Sequence, residues 1–328
     1  MKAKMTDLQR LSLDVYNGVN VNFNEVSGED AIRNAITDAV GGEFNYKNFR
    51  ENKYRVFSIL EEALDVTLGI VITNQFDNLA EVKNVATGDK ISFKVSDQSL
   101  FRVARIAGGN NDLRRQKLLN KRFTVDTDKY GVKIYEELDM FIAGRIDWSS
   151  MIDRVAQSFA NFMGTKIYEA IAKSYSSLNQ TYGVTGTFDD DALFDMVQHV
   201  EAKSGKKAVI MGTRKALRTV TKGLNLSDSM KDDLNKVGYL TTVAGTDLYL
   251  LPQAHKIGTD EFLVDDNMLI VVPQDEKLVK VVVEGEALML ETAEAGDRND
   301  QQMEYQLQKS FGVGVIQSAV YGIYKITG

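Results

Sequence analysis

The sequence predicts an α+β fold, and three observations carry this prediction. Hydrophobic residues make up 44% of the 328 residues and charged residues 26%, which are ordinary values for a folded globular chain. A stretch that begins near residue 147 repeats apolar residues at helical spacing. The second half alternates helical patterns with short β-branched runs. A chain of this length holds one large or two medium domains, and we expect two.

The N-terminal part is predicted to be an arm followed by two helices. Residues 1–26 are polar and rich in asparagine, so we expect them to be poorly anchored and to contact another molecule. A helical pattern then ends at Gly41-Gly42, and a second helix is predicted to begin at Asn45.

Beyond Leu64 the β-branched composition predicts strands, with a hairpin turn at residues 87–89. A basic segment between residues 102 and 122 interrupts them. It contains seven basic residues and one acid, Asp112, so its net charge is +6 while the rest of the chain carries −13. The basic residues are Arg102, Arg105, Arg114, Arg115, Lys117, Lys121 and Arg122. Because apolar residues flank the segment on both sides, it is predicted to be an excursion between two strands.

The longest periodic stretch predicts a central helix of about 25 residues. Its apolar side chains fall on one face: Ile152, Val155, Ala156, Phe159, Met163, Ile167, Ala170 and Ile171. Gly164 interrupts this face, which predicts either a bend or a close packing contact.

Residues 187–283 are predicted to form an α/β or α+β domain, because helical and strand patterns alternate there. The predicted helices lie at 190–202, 213–221 and 227–237, and the predicted strands at 208–211, 247–251, 268–272 and 278–283. The chain closes with strand-rich stretches at 287–291 and 304–324.

The residues that catalysis requires are scarce. The chain has no cysteine, which excludes disulfides, thiolate metal sites and cysteine nucleophiles. Two histidines, His199 and His255, are too few for a multi-histidine metal centre. The acidic run at residues 189–191 matches ordinary capping of the helix that follows it. We therefore expect no enzyme activity, no cofactor and no bound metal.

Two glycine motifs fail as phosphate-binding loops. Gly312-Val313-Gly314 lacks a third glycine and does not lie between a strand and a helix. Gly205-Lys206 lacks both the earlier glycine and the Ser or Thr that the Walker pattern requires. No nucleotide site is predicted.

The basic segment has the clearest functional implication. A +6 segment on a chain that otherwise carries −13 is suited to lie across an acidic surface of an identical neighbour. Nucleic-acid binding is the rival interpretation, but no aromatic residue lies between Arg102 and Arg122 to stack on bases. A solvated charge run is the default alternative. We expect protein contact, chiefly through Arg114, Arg115 and Lys117.

The order of these elements resembles the major capsid proteins of tailed bacteriophages, which share the Hong Kong 97-type fold. The motif IYEEL at 134–138, leading through IDW at 146–148 into the long helix, is similar to the segment before the family's spine helix. AVIM at 208–211 and GTDLYLLP at 245–252 resemble strands of the family's apical domain. FGVGV at 311–315 and the residues up to 324 resemble the last strands of its peripheral domain.

The resemblance implies a specific division of the chain. Residues 1–45 would form the N-terminal arm, residues 80–130 an extended β-hairpin loop, and residues 183–283 the apical α/β domain. The peripheral domain would combine residues 46–79, residues 131–182 with the spine helix, and the C-terminal strands at 284–328.

The resemblance also implies function and partners. Identical subunits would assemble as hexamers and pentamers into an icosahedral or prolate shell around the double-stranded DNA of a tailed phage, without sequence-specific binding. The short arm predicts a separate scaffolding protein, and a portal protein is a further expected partner. With no long apolar run, we expect no membrane association, and assembly in the host cytoplasm before the protein becomes part of the virion.

Two alternatives remain at this point. An encapsulin-like compartment shares the fold and houses enzymes in place of a genome. A cytoplasmic α/β enzyme would hold an anionic substrate with Arg114 and Arg115, and its size would distinguish it from a shell protein.

Overall fold

The computed structural model describes residues 6, 9–11, 28–43, 45–76, 78–95, 103, 115, 121–137, 148–222, 228–293, 302–316 and 320–327. Helices in this part are α1 (Gly28–Val40), α2 (Tyr46–Phe76), α3 (Trp148–Ser174), α4 (Asp190–Ser204), α5 (Arg214–Thr221) and α6 (Asp228–Val237). Strands are β1 (Ala80–Val85), β2 (Ser92–Val95), β3 (Lys121–Thr124), β4 (Asp128–Glu137), β5 (Gly183–Gly186), β6 (Ala208–Gly212), β7 (Thr242–Val243), β8 (Thr246–Leu250), β9 (Met268–Pro273), β10 (Val279–Ala293), β11 (Gln302–Val315) and β12 (Gly322–Ile326). The predicted α+β class is confirmed.

The long helices α2 and α3 pack against each other at the centre of the molecule. The predicted apolar face of α3 is buried, apart from Ala170, which is half-buried. Gly164 on that face leaves no room for a side chain, because a Cβ there would lie 2.9 Å from atoms of both Leu263 and Phe76. This glycine therefore marks a close packing contact.

A four-stranded sheet packs on these helices in the order β1-β10-β11-β4. β1 pairs parallel with β10, and the other two pairings are antiparallel. β11 turns its odd-numbered side chains to the helices: the Tyr305 ring lies 5.7 Å from Phe57 of α2, and the Phe311 ring lies 6.1 Å from Phe162 of α3. Its even-numbered side chains point to the opposite side of the sheet, which we call the outer face.

A six-stranded sheet follows the order β5-β12-β9-β6-β8-β7. All residues of β6 and β9 are buried, because both sides of this sheet are covered. Val209 and Met211 join the core around α2 and α3, while Ala208 and Ile210 join a second core with α4 and α5. Cover on both sides explains the continuous apolar runs seen in the sequence.

The predicted capping of α4 is confirmed. The Asp189 side chain accepts a hydrogen bond from the Asp191 backbone N–H at 3.3 Å, and Gly205 ends the helix in the left-handed conformation. None of the helices in the described ranges is long and apolar enough to span a membrane.

The expected strand after Leu64 is wrong at its start, because α2 continues to Phe76. Leu64, Leu68, Val71 and Ile72 are at most 1% exposed and share one helix face, which packs into the core. Burial of this face outweighs the weak β preference of the β-branched residues around it.

The hairpin predicted around residues 87–89 is also wrong, although the turn exists. The Asp89 N–H donates to the Ala86 carbonyl at 3.1 Å, and Gly88 has a φ of +87°. The flanking strands do not pair with each other: β1 pairs with β10 and β2 with β3. The C-terminal strands also separate, since β11 lies in the four-stranded sheet and β12 in the six-stranded sheet. The strand predicted at 278–283 does not join the α/β domain either, because it is the first part of β10 and pairs with β11 in the four-stranded sheet.

Candidate subunit-contact site

The two strands that flank the basic segment form an antiparallel pair, which we call the ribbon. β2 and β3 pair from Ser92–Thr124 at the base to Val95–Lys121 at the far end. The chain between these last two residues contains most of the basic segment. Sequence reasoning therefore placed the excursion correctly between paired strands.

The structure describes only part of the predicted contact set. Lys121 and Arg122 lie on β3, and the side chain of Arg122 is exposed. Arg115 is exposed as well. Four members lie outside the described residues: Arg102, Arg105, Arg114 and Lys117.

The base of the ribbon rests on two glycines of β11. A Cβ at Gly314 would lie 2.7 Å from the Phe123 ring, and a Cβ at Gly312 would collide with the carbonyl oxygen of Asp126. Both glycines are at even positions, so this contact is on the outer face of the sheet. The Gly-Val-Gly motif thus permits close approach of the chain that leads out of β3.

Phe93 of β2, the cross-strand partner of Phe123, also anchors the base of the ribbon and is 1% exposed. The ammonium groups of Lys83 and Lys280 lie 4.4 Å and 5.7 Å from its ring centroid. Both lysines also form ion pairs with Glu81. Burial raises the pKa of Glu81, but hydrogen bonds from Lys280 and Lys83 outweigh it, so the net pKa lies below the usual value.

Glu284 of β10 holds the two chain segments that lead into and out of the ribbon. Its carboxylate accepts a hydrogen bond from the Thr127 hydroxyl and another from the Gly88 N–H at 2.7 Å. These bonds, with that of Thr127 the stronger, lower the pKa of Glu284. The exposed Lys90–Asp126 pair at 3.3 Å adds little, because solvent screens it.

Carboxylates of α2 stabilise an irregular part of β10 behind the ribbon. The register of β10 shifts between Glu284 and Leu288, and Asp65 accepts the Ala287 N–H at 2.9 Å there. Asp65 also pairs with Lys309, whose side chain is 5% exposed. The bulge is therefore supported by charged groups inside the layer.

One turn earlier on α2, Glu61 binds the backbone of β10 just beyond this bulge. It accepts the Met289 N–H at 2.6 Å. Burial raises the pKa of Glu61, and this outweighs the opposite effect of the bond from Met289.

Comparison with known proteins gives the decisive observation. Residues 7–325 match the model of the family described as "SPbeta prophage-derived putative capsid protein YonB". The chain belongs to this capsid-protein family. Membership of the YonB family makes it a structural protein of phage or prophage capsids, and not an enzyme.

Solved structures show the fold of this YonB-family chain. The mature capsid of bacteriophage PhiM1 has a TM-score of 0.52 at 11% identity, over 77% of this chain and 87% of that chain. The capsid of an empty GTA particle has a TM-score of 0.52 at 13% identity, over 78% of this chain and 90% of that chain. The predicted Hong Kong 97-type fold is thereby confirmed. No curated protein matches the chain.

Sequence reasoning missed the residues that fix the ribbon of this YonB-family protein. It tested Gly312 and Gly314 as a phosphate motif and placed them in a terminal strand, but it did not predict a contact there, although alternate glycines inside a strand indicate close backbone approach. Glu81 and Glu284 carried no local signal. Lys280 lies 199 residues from Glu81 in the chain, and Thr127 lies 157 residues from Glu284.

The histidines have packing partners in the fold. His255 stacks on Phe262 with ring centroids 5.3 Å apart, and His199 meets Tyr182 edge-on at 6.4 Å. No group of three potential metal ligands occurs within the described ranges.

Proposed function

We propose that copies of this capsid protein assemble as hexamers and pentamers into a closed icosahedral or prolate shell around double-stranded phage DNA. In this shell each ribbon carries its basic segment across a neighbouring subunit. The observation that supports this role is a ribbon with a firmly held base that leads into a +6 segment, on a chain that is otherwise −13.

A firm base matters for such a contact. Phe93 is buried, Phe123 rests on Gly314, and Glu284 binds both flanking segments. A ribbon held in this way loses little conformational entropy when its far end binds a neighbour. Many identical contacts of modest strength then stabilise a closed shell, because each subunit is held at several points.

The proposed roles of the segments follow the predicted division. Residues 1–45 act as an arm, residues 80–130 as the extended loop, and residues 183–283 as the apical domain around each capsomer axis. Residues 46–79, 131–182 and 284–328 supply the peripheral domain, with two changes to the predicted bounds. We assign β12 to the apical sheet with which it pairs, and β1 and residues 279–283 of β10 to the four-stranded sheet of the peripheral domain. A separate scaffolding protein and a portal protein complete the assembly, which takes place in the host cytoplasm.

Contacts with DNA in this proposal are weak and independent of sequence. The net charge outside the basic segment is −13, which limits adhesion to the packaged phosphate backbone.

Deletion of residues 105–120 tests the proposal. The expected product is soluble subunits or capsomers, observed by sedimentation and negative-stain microscopy, in place of closed shells. Normal shells from this variant would overturn the role of the basic segment.

A charge-matched pair of triple variants separates charge from length. Arg114→Gln/Arg115→Gln/Lys117→Gln removes three charges from the basic segment and should reduce the yield of shells. Arg154→Gln/Lys173→Gln/Lys236→Gln removes three charges from exposed helical positions and should not. Equal yields from the two variants would contradict a specific role for these residues.

A further inference from the structure

The outer face of the four-stranded sheet has an apolar end that its own ribbon leaves uncovered. Leu288 is 46% exposed, Leu290 is 40% exposed and Tyr135 is 65% exposed. Large apolar side chains with this exposure on a regular strand are typical of interaction surfaces when they cluster. Whether these three side chains cluster depends on their positions in the sheet.

Strand register places these three side chains on one surface. Leu288 and Leu290 of β10 pair with Gln308 and Gln306 of β11, which lie on the outer face. Across β11, Gln306 pairs with Lys133 and Glu304 with Tyr135. We call this surface the open patch: Leu288, Leu290, Gln306, Gln308, Lys133 and Tyr135.

The neighbouring buried residues confirm the orientation. Ala287 and Met289 alternate with the two leucines and are 5% and 4% exposed. Both side chains belong to the core around α2 and α3, so their side of β10 is the helix side. The leucines therefore point away from the helices.

The ribbon and the open patch lie at opposite ends of the same face. The ribbon base covers Gly312 and Gly314, whereas the open patch surrounds Gln306 and Gln308. From Gln306 to Gly314 a strand extends about 26 Å. A contact between two different ends of one surface is heterologous, and repetition of such a contact joins copies head to tail into rings.

We infer that the open patch is the acceptor surface for a second copy of this chain, which approaches head to tail. The inference rests on the proposed function, because it supplies a receiving surface for the shell contacts. A shell subunit has identical copies as its most abundant partners, and two leucines and a tyrosine set among the side chains of Gln306, Gln308 and Lys133 have the mixed composition of a subunit interface.

A pair of matched double variants tests the inference. Leu288→Gln/Leu290→Gln removes two apolar side chains from the open patch and should lower the yield of shells by about tenfold or more. Ile257→Gln/Phe262→Gln removes two side chains that are 57% and 53% exposed elsewhere, and should assemble like the unaltered protein. Because all four positions are exposed, the thermal unfolding of free subunits should change little. Wild-type yield from the first variant, or equal losses in both, would overturn the inference.

A thiol probe gives an independent readout. The chain has no cysteine, so Leu290→Cys carries the single thiol. A maleimide should label it rapidly in free subunits and about tenfold more slowly in shells. Unchanged labelling in shells would contradict the inference. Slow labelling in free subunits would also contradict it, because the chain itself would then cover the patch.

The results distinguish this inference from the proposed function. Suppose that deletion of residues 105–120 leaves shells intact while Leu288→Gln/Leu290→Gln abolishes them. The proposed role of the basic segment then fails and the acceptor surface stands. If the deletion abolishes shells and Leu288→Gln/Leu290→Gln leaves them intact, only the inference about the acceptor surface is overturned.

Discussion

The two sheets of this protein differ in how far charged groups contribute to their packing. In the four-stranded sheet, buried or half-buried charged groups join distant segments, as in Asp65 with Lys309 and Glu81 with Lys280. In the six-stranded sheet, β6 and β9 are buried along their whole length between two apolar cores. The first combines apolar burial against α2 and α3 with specific charge pairs, whereas the second is covered on both sides by apolar residues.

This difference between the two sheets is related to the ribbon, which leaves only the four-stranded sheet. The ribbon leaves the four-stranded sheet and brings chain segments onto its outer face, where the bulge of β10 interrupts regular pairing. A backbone group freed by such a bulge requires a polar partner, and Asp65 of α2 accepts the Ala287 N–H. Specific charged contacts therefore accompany the part of the fold that presents the ribbon.

The largest expected effect comes from removal of Asp65. Asp65→Ala leaves the buried Lys309 ammonium without its carboxylate and the Ala287 N–H without an acceptor. We expect a loss of about 4 kcal/mol in the free energy of unfolding, measured by urea denaturation. The control is Asp126→Ala, which removes an exposed ion pair and should cost less than about 0.5 kcal/mol. Similar losses in both variants would refute the role of the charged interior.

Truncation in the six-stranded sheet gives the next effect. Ile270 is 0% exposed, and Ile270→Ala should cost about 3 kcal/mol through lost burial and a cavity. The loss should be insensitive to salt, because no charge is involved. A loss of stability that changes strongly between low and high salt would contradict the conclusion that apolar burial stabilises this sheet.

A smaller effect is expected where the ribbon rests on β11. Gly314→Ala places a methyl group against the Phe123 ring and should cost about 2 kcal/mol, with faster hydrogen exchange in β2 and β3. Gly69→Ala is the matched control: its methyl group meets no atom within 4 Å, and alanine favours the helix, so a gain of about 0.5 kcal/mol is expected. Unchanged hydrogen exchange in the ribbon of Gly314→Ala would show that the contact between Phe123 and Gly314 does not hold the ribbon in place.

The smallest effects concern pH and have opposite signs at Glu81 of β1 and at Asp190 of α4. The pKa of Glu81 is lowered, so its contribution is present above its unfolded value and is lost as pH falls through the folded pKa. Glu81→Gln should therefore be less stable than the unaltered protein at neutral pH, and the gap should close in acid.

Asp190, at the start of α4, should behave in the opposite way. Burial raises its pKa, and the neighbouring carboxylates of Asp191 and Asp189 raise it further. Ionisation of Asp190 then costs stability as pH rises through its folded pKa. Asp190→Asn should be more stable than the unaltered protein at neutral pH and equal to it in acid. Thermal unfolding from pH 3 to pH 7 measures both variants, and gaps of the same sign would contradict the assignment.

Elements with a regular apolar period were predictable from sequence. The face of α3 that includes Phe159 and Met163 and the buried strand at 208–211 both appear where expected. The paired strands around the basic segment were predictable too, because apolar residues flank a polar excursion. In these cases one local pattern suffices to identify the element.

Other features were not predictable because two structures compete locally. The stretch after Leu64 combines β-branched residues, which favour strand, with buried residues at helical spacing such as Leu68 and Ile72. The packing of α2 against its neighbouring elements stabilises the helix over the strand. The contact at Gly312 and Gly314 was likewise not predictable, because Phe123 and Asp126 reach these glycines only in the folded chain.

The sequence by itself determined the central helix, the absence of cysteine chemistry and the charge contrast between the basic segment and the remainder. Each of these follows from residues that are close together in the chain, or from composition alone. Only the tertiary structure decided that β1 pairs with β10 and not with β2, that β12 joins the six-stranded sheet, and that the outer face has a covered and an open end. Such pairings join segments up to about two hundred residues apart, and they are selected by burial in the whole fold, which local periodicity does not encode.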